Sequence, residues 1–166
     1  GPMPLVLQRY YAAFLNVDGN GQGSLGTNWL HNFELTLNRT GDAIQIVLEQ
    51  GRVLTFTNTA SGWALTRRFP IPYQLLVTAT NSLLADPQSQ RVFTFDPNGV
   101  LTVIADGRGN THTLSYQAGR LASVSDGLGR MLTLQYNPQG SLTNVSDGAR
   151  SVSFTQTNGL LATARD

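Results

Sequence analysis

One pattern recurs four times in the last third of the chain, and it limits the fold more than anything else in the sequence. It reads Leu, two residues, an aliphatic residue or Ala, one residue, Asp. The copies are Leu101-Thr-Val-Ile104-Ala-Asp106, Leu121-Ala-Ser-Val124-Ser-Asp126, Leu142-Thr-Asn-Val145-Ser-Asp147 and Leu161-Ala-Thr-Ala164-Arg-Asp166. The spacing of the Asp residues is 20, 21 and 19 positions. Self-similarity at a period this short marks a repeat architecture, in which no single unit buries its own apolar face.

Each unit reads as one β-hairpin. In the second copy a strand over residues 119–124 leads to the turn Ser125-Asp-Gly-Leu-Gly129, a second strand over 130–136 and the return turn Asn137-Pro-Gln-Gly140. The steps Asp106-Gly107, Asp126-Gly127 and Asp147-Gly148 are tight-turn signals, because Asp bonds the turn backbone and Gly accepts positive φ. Asp96-Pro-Asn-Gly99 and Asn137-Pro-Gln-Gly140 suit type I turns with a left-handed closing residue. The second strands keep one parity through His112, Leu114 and Tyr116, then Leu132, Leu134 and Tyr136, then Val152 and Phe154. Stacked hairpins turn these positions into ladders. The structural repeat positions are thus Leu101, Leu121 and Leu142, the three Asp-Gly pairs, and Tyr116 and Tyr136.

Upstream, short alternating runs alternate with Gly- and Asn-rich turns. Trp29, His31, Phe33, Leu35 and Leu37 share a parity and predict one half-buried strand over 27–38. Residues 43–48, 52–57, 63–67 and 74–80 continue a meander, and 82–86 suits a strand or one helical turn. Nothing sustains a 3.6-residue period, so the expected fold is all-β, an antiparallel hairpin meander forming a strip of repeats. Three segments are expected: Gly1-Pro2-Met3 as a protease scar outside the fold, 4–93 as a β-rich introducing segment, and 94–166 as repeats of about 20 residues with the last cut short.

The pattern aromatic, x3 (x2 in the second copy), Gly, x, Leu, x2, Val/Ile, x, Asp, x2, Gly resembles the RHS (rearrangement hot spot) or YD-repeat family. Phe95-Asp96, Gly99, Leu101, Ile104, Asp106 and Gly109 carry it first, and Tyr116, Gly119, Leu121, Val124, Asp126 and Gly129 carry it again. Upstream, Gly23-Ser-Leu-Gly-Thr-Asn-Trp29 and Glu49-Gln-Gly-Arg-Val-Leu-Thr-Phe56 resemble the domain that introduces such arrays. Two departures stand out. The aromatic-Asp pair is intact only at Phe95-Asp96, and the third repeat is one residue shorter near Ala149-Arg150. The resemblance implies a β-strip wound into a hollow shell that, in bacterial members, encloses a C-terminal toxin. It implies a bacterial effector that is secreted or delivered to a cell surface. The implied partners are the rest of that shell, the toxin, and further copies through open sheet edges. The alternative is a carbohydrate- or protein-binding cell-surface module.

The chemistry of the chain points away from catalysis, and no cofactor or metal is expected. Two histidines and no cysteine leave no zinc set without distant carboxylates. No Ser stands in a nucleophile elbow. Gly21-Gln-Gly23-Ser-Leu-Gly26 matches a dinucleotide loop, but a strand-like run follows where a helix is needed. Asp18, Asn20 and Gln22 imitate the opening of a calcium loop whose closing Glu position is Trp29. A net charge of +1 gives no electrostatic case for nucleic acid. No apolar run approaches the ~18 residues of a membrane span.

Overall fold

A computed structural model describes residues 3–13, 15, 22–67 and 70–166. The described residues form strands and turns with no helix. Four short strands come first: β1 (Arg9–Tyr11), β2 (Gln22–Gly23), β3 (Gly26–Thr27) and β4 (Trp29–His31). Six follow: β5 (Thr36–Thr40), β6 (Ala43–Val47), β7 (Val53–Thr59), β8 (Gly62–Leu65), β9 (Gln74–Val77) and β10 (Ser82–Asp86). The repeats supply β11 (Arg91–Phe95), β12 (Leu101–Ala105), β13 (Thr111–Gln117), β14 (Arg120–Ser125), β15 (Met131–Tyr136), β16 (Leu142–Ser146), β17 (Ser151–Thr157) and β18 (Leu160–Arg165).

Strands β5 to β18 make one antiparallel sheet of 14 strands in sequence order. It is an open meander, so the all-β expectation holds. Every neighbour is a hairpin partner, as short connections between alternating strands dictate. The sheet passes without a break from the introducing segment into the repeats, and one apolar cluster runs from Leu25 to Phe154.

The repeats solve a parity problem that the sequence pattern poses. Leu101 and Ile104 are three residues apart and would face opposite sides of a regular strand. Both are buried. The register explains how: Thr94 pairs with Val103 but Phe95 pairs with Leu101, leaving Thr102 as the extra residue of a β-bulge. The same slip leaves Ala122 extra between Tyr116↔Leu121 and Ser115↔Ser123. It leaves Thr143 extra in the third repeat and Ala162 in the fourth. The hydroxyls of Thr102 and Thr143 donate to the carbonyls of Thr94 and Gln135, both at 3.1 Å. The first three bulges return Leu101, Leu121 and Leu142 to the core, where burial of such a side chain contributes about 1.5–3 kcal/mol.

The introducing segment departs from its expected form in one place. The run over 27–38 is two strands with a corner between them, because Asn32 and Phe33 turn the chain after β4. The shared parity survives the corner, since His31, Phe33, Leu35 and Leu37 are all buried. Residues 82–86 are a strand, not a helical turn. Met3, set aside above with the scar, is buried. The Asp18–Asn20 part of the Gly-rich stretch lies outside the described residues.

Candidate functional site

The three repeat aspartates are turn formers. Asp106 Oδ1 accepts from the backbone N–H groups of Arg108 at 2.8 Å and Asn110 at 3.2 Å, and Oδ2 accepts from Asn110 Nδ2 at 2.6 Å. Asp126 repeats this with Leu128 and Arg130 and adds Arg130 Nε at 2.6 Å. Asp147 accepts from Ala149 and Arg150 at 3.0 and 2.7 Å. The third turn is one residue shorter, yet Ser146 still pairs with Ser151 and the ladder stays in phase. Gly107, Gly127 and Gly148 take φ of 69°, 70° and 90°, which a non-Gly residue adopts only with strain.

These bonds hold the carboxyls below their ordinary range. For Asp106 the Asn110 side chain is the chief cause, and for Asp147 it is the Arg150 backbone N–H. Burial opposes ionisation of Asp126, but donation from Leu128 and Arg130 outweighs it. Asp126 and Asp147 pair with Arg130 and Arg150. Arg108 instead reaches Gln90 at 3.4 Å.

The opposite ends of the same strands build a different surface. There the Leu101, Leu121, Leu142 and Leu161 rungs pair with a row formed by Phe95, Tyr116, Tyr136 and Gln156. The N-terminal segment crosses this end as a strap over residues 22–37. Leu37 N–H donates to Gly99 O at 3.1 Å, Leu142 N–H to Ser24 O at 2.7 Å, and Thr27 N–H to Gly159 O at 2.8 Å. Gln156, where the aromatic ladder lapses, donates its Nε2 to Ser24 O at 2.9 Å. That lapse was the one sequence signal for this contact. A Cβ at Gly99 would run into the Leu37 carbonyl, so the approach requires glycine.

A cavity of about 720 Å³ lies between strap and repeats. Its strap wall is organised by Glu34. One carboxylate oxygen accepts from Ser24 N–H at 2.7 Å and the other from His31 N–H at 2.9 Å. His31 is fully enclosed, and its Nδ1 accepts from Phe33 N–H at 3.2 Å. That bond assigns the proton to Nε2, which stands 3.5 Å from Glu34 Oε1. Burial pushes the imidazole pKa down against the opposing pull of Glu34, so the contact is a dipole on a carboxylate and not an ion pair. The repeat wall carries Tyr116 and Tyr136. The Tyr116 hydroxyl donates to Leu101 O at 2.8 Å. Burial, then the charges of Asp96 and Glu34, push the Tyr116 phenol up to about 12. Burial and then Glu34 push Tyr136 up as well.

Residues 1–56 match a family described as a domain of unknown function, DUF6531. No curated protein matches the chain. The match covers the strap, β1 to β6 and the start of β7, and it stops well before the repeats.

The other sequence candidates fall apart in space or into packing roles. His112 is buried, with its ring 6.3 Å from Phe33. Phe33 separates it from His31, whose ring lies 6.2 Å away on a T-shaped contact. Trp29 packs on Tyr11 and Arg9, and Trp63 on Arg39. Beyond Gly26 the chain continues as strand, so the helix a dinucleotide loop requires is replaced by β3. Among the described residues no three His, Asp or Glu side chains gather as a metal set, and no helix is long and apolar enough to cross a membrane.

Proposed function

We propose that this chain is the opening wall and plug of an RHS-type shell, and that its role is to enclose or present a C-terminal toxin or effector without catalysing a reaction itself. The strap carries this reading. A segment that crosses the hairpin ends and bonds the chain there at Gly99, Leu142 and Gly159 does what a closure must do at the rim of a wound sheet. The stacked repeats support it, because every rung repeats the same inward Leu and outward turn and so extends without a new fold. The free side of β18, with Leu160 exposed, offers a ladder edge for a further hairpin of the same kind. A secreted or surface-delivered bacterial effector is the setting in which such a container operates.

The test uses the natural protein that contains this chain. Limited proteolysis compares the intact form with one whose strap is cut by an engineered protease site replacing residues 24–27. Protection of the C-terminal portion in the intact form, lost on cutting the strap, supports closure by this segment. Equal cleavage of that portion in both forms sinks the proposal.

A further inference from the structure

Glu34 is a carboxylate with an unmatched charge on the wall of a cavity. Its side chain is 18% exposed, and among the described residues no arginine nitrogen lies within 4.0 Å of it. Its neighbour His31 is neutral on the hydrogen-bond evidence above. Two backbone N–H groups stabilise the carboxylate but bring no net positive charge. Across the cavity stand Tyr116 and Tyr136, whose phenols both feel the Glu34 charge. The Tyr116 hydroxyl has spent its proton on Leu101 O, so its oxygen is left as an acceptor. On the strap side Ser24 Oγ, an oxygen able to accept, is buried without a protein hydrogen-bond partner. A carboxylate, aromatic rings and phenolic oxygen around one space favour a cation.

From this arrangement we infer that the cavity under the strap binds an organic cation, an ammonium or guanidinium group, with Glu34 as counter-ion and Tyr116 and Tyr136 as walls. Arg120 at the rim shows the preference already at work. Its guanidinium carbon lies 6.0 Å from the Tyr136 ring centroid, and Nη1 donates to Asn137 O at 3.3 Å. Arg120 lines the same cavity as Glu34 but forms no ion pair with it. The cation comes either as a free amine or as a Lys or Arg side chain of a polypeptide. This inference stands on the cavity alone and does not depend on the shell reading.

The experiment titrates the 166-residue chain with butylammonium, methylguanidinium, a Gly-Lys-Gly peptide and butanesulfonate, at constant low ionic strength, following amide resonances by NMR. Saturable shifts at Ser24 and His31 with the cations and none with the sulfonate are expected. Arg120→Ala, an exposed rim change, tightens cation binding about twofold or more by removing a competing charge. Tyr136→Leu weakens it about threefold. A peptide that binds more tightly than butylammonium identifies a side chain as the natural group, and the reverse order identifies a free amine. Absence of saturation with every cation, equal response to the sulfonate, or weaker cation binding by the Arg120 variant overturns the inference. Glu34→Gln is not the decisive variant, since Glu34 also holds the strap.

Discussion

Glu34 Oε1 accepts the backbone N–H of Ser24 at 2.7 Å, ten residues back along the chain. The same carboxylate accepts His31 N–H, so one side chain fixes both limbs of the strap. Hydrogen bonds to a charged group contribute about 1.5–3 kcal/mol each. Glu34→Ala is expected to cost about 2–4 kcal/mol, with Glu34→Gln costing roughly half as much because one acceptor oxygen survives. Urea denaturation measures the cost. Hydrogen exchange at Ser24 and His31 locates it, and unchanged protection there would count against the clamp.

The bulge residues set the register, and the Asp turns do not. Deleting Ala122 removes the slip between Tyr116↔Leu121 and Ser115↔Ser123 and turns part of β14 inside out. A loss of about 3 kcal/mol or more is expected as a buried apolar side chain reaches water. Deleting Leu128, which is exposed, shortens the second turn to the length the third already has. That change is expected to cost less than about 1 kcal/mol, in the range of ordinary surface changes. Similar costs for the two deletions would show that the bulges are incidental.

Ala118 adopts φ 48° in the two-residue turn between β13 and β14, and Asn158 adopts φ 52° at the matching place before β18. A left-handed alanine is strained by about 1–2 kcal/mol, and Asn or Gly tolerates the conformation better. Ala118→Asn is expected to stabilise the protein by about 0.5–1 kcal/mol, read as a higher thermal midpoint.

Gly99 and Gly107 both have positive φ, at 81° and 69°. A Cβ at Gly107 meets nothing within 4 Å, whereas one at Gly99 meets the Leu37 carbonyl. Both Ala variants carry the backbone strain, so their difference isolates the strap contact. Gly99→Ala is expected to be the more destabilising by about 1–3 kcal/mol. Equal losses in urea unfolding would remove the close approach as the cause.

Burial lowers the pKa of both His31 and His112 from the ordinary 6.5. The unfolded chain therefore binds protons that the folded chain refuses, and stability is full above about 6.5 and falls as pH drops below it. The depressed Asp106, Asp126 and Asp147 act in a second window. Their contribution is present above the ordinary 3.8 and is lost as pH falls through their lower folded values. A denaturation series from pH 7.5 to 3 should show the first decline begin as pH drops below 6.5, and replacing His112 with Leu, the residue at the same phase in the next repeat, should reduce it.

The Asp-Gly steps and the Leu rungs were legible because turn chemistry and burial act over a few residues. The bulges were legible only in hindsight. A Leu and an aliphatic residue three apart cannot share a strand face unless a residue is inserted, and the repeated pattern carries that contradiction in every copy. The corner at Asn32 and Phe33 was hidden, because alternation continues across it and a parity count cannot see a turn of even length.

By itself, then, the sequence determined an all-β strip of hairpins, its turns and its inward ladder, since each depends on local periodicity and backbone preference. The tertiary structure alone decided where the strap goes and what it encloses. Glu34, Tyr116 and Tyr136 are 82 and 102 residues apart in the chain from the first to the others. They share a cavity only because the sheet brings the return turns to one rim and Glu34 holds the strap across it, and no local pattern records a contact made over that distance.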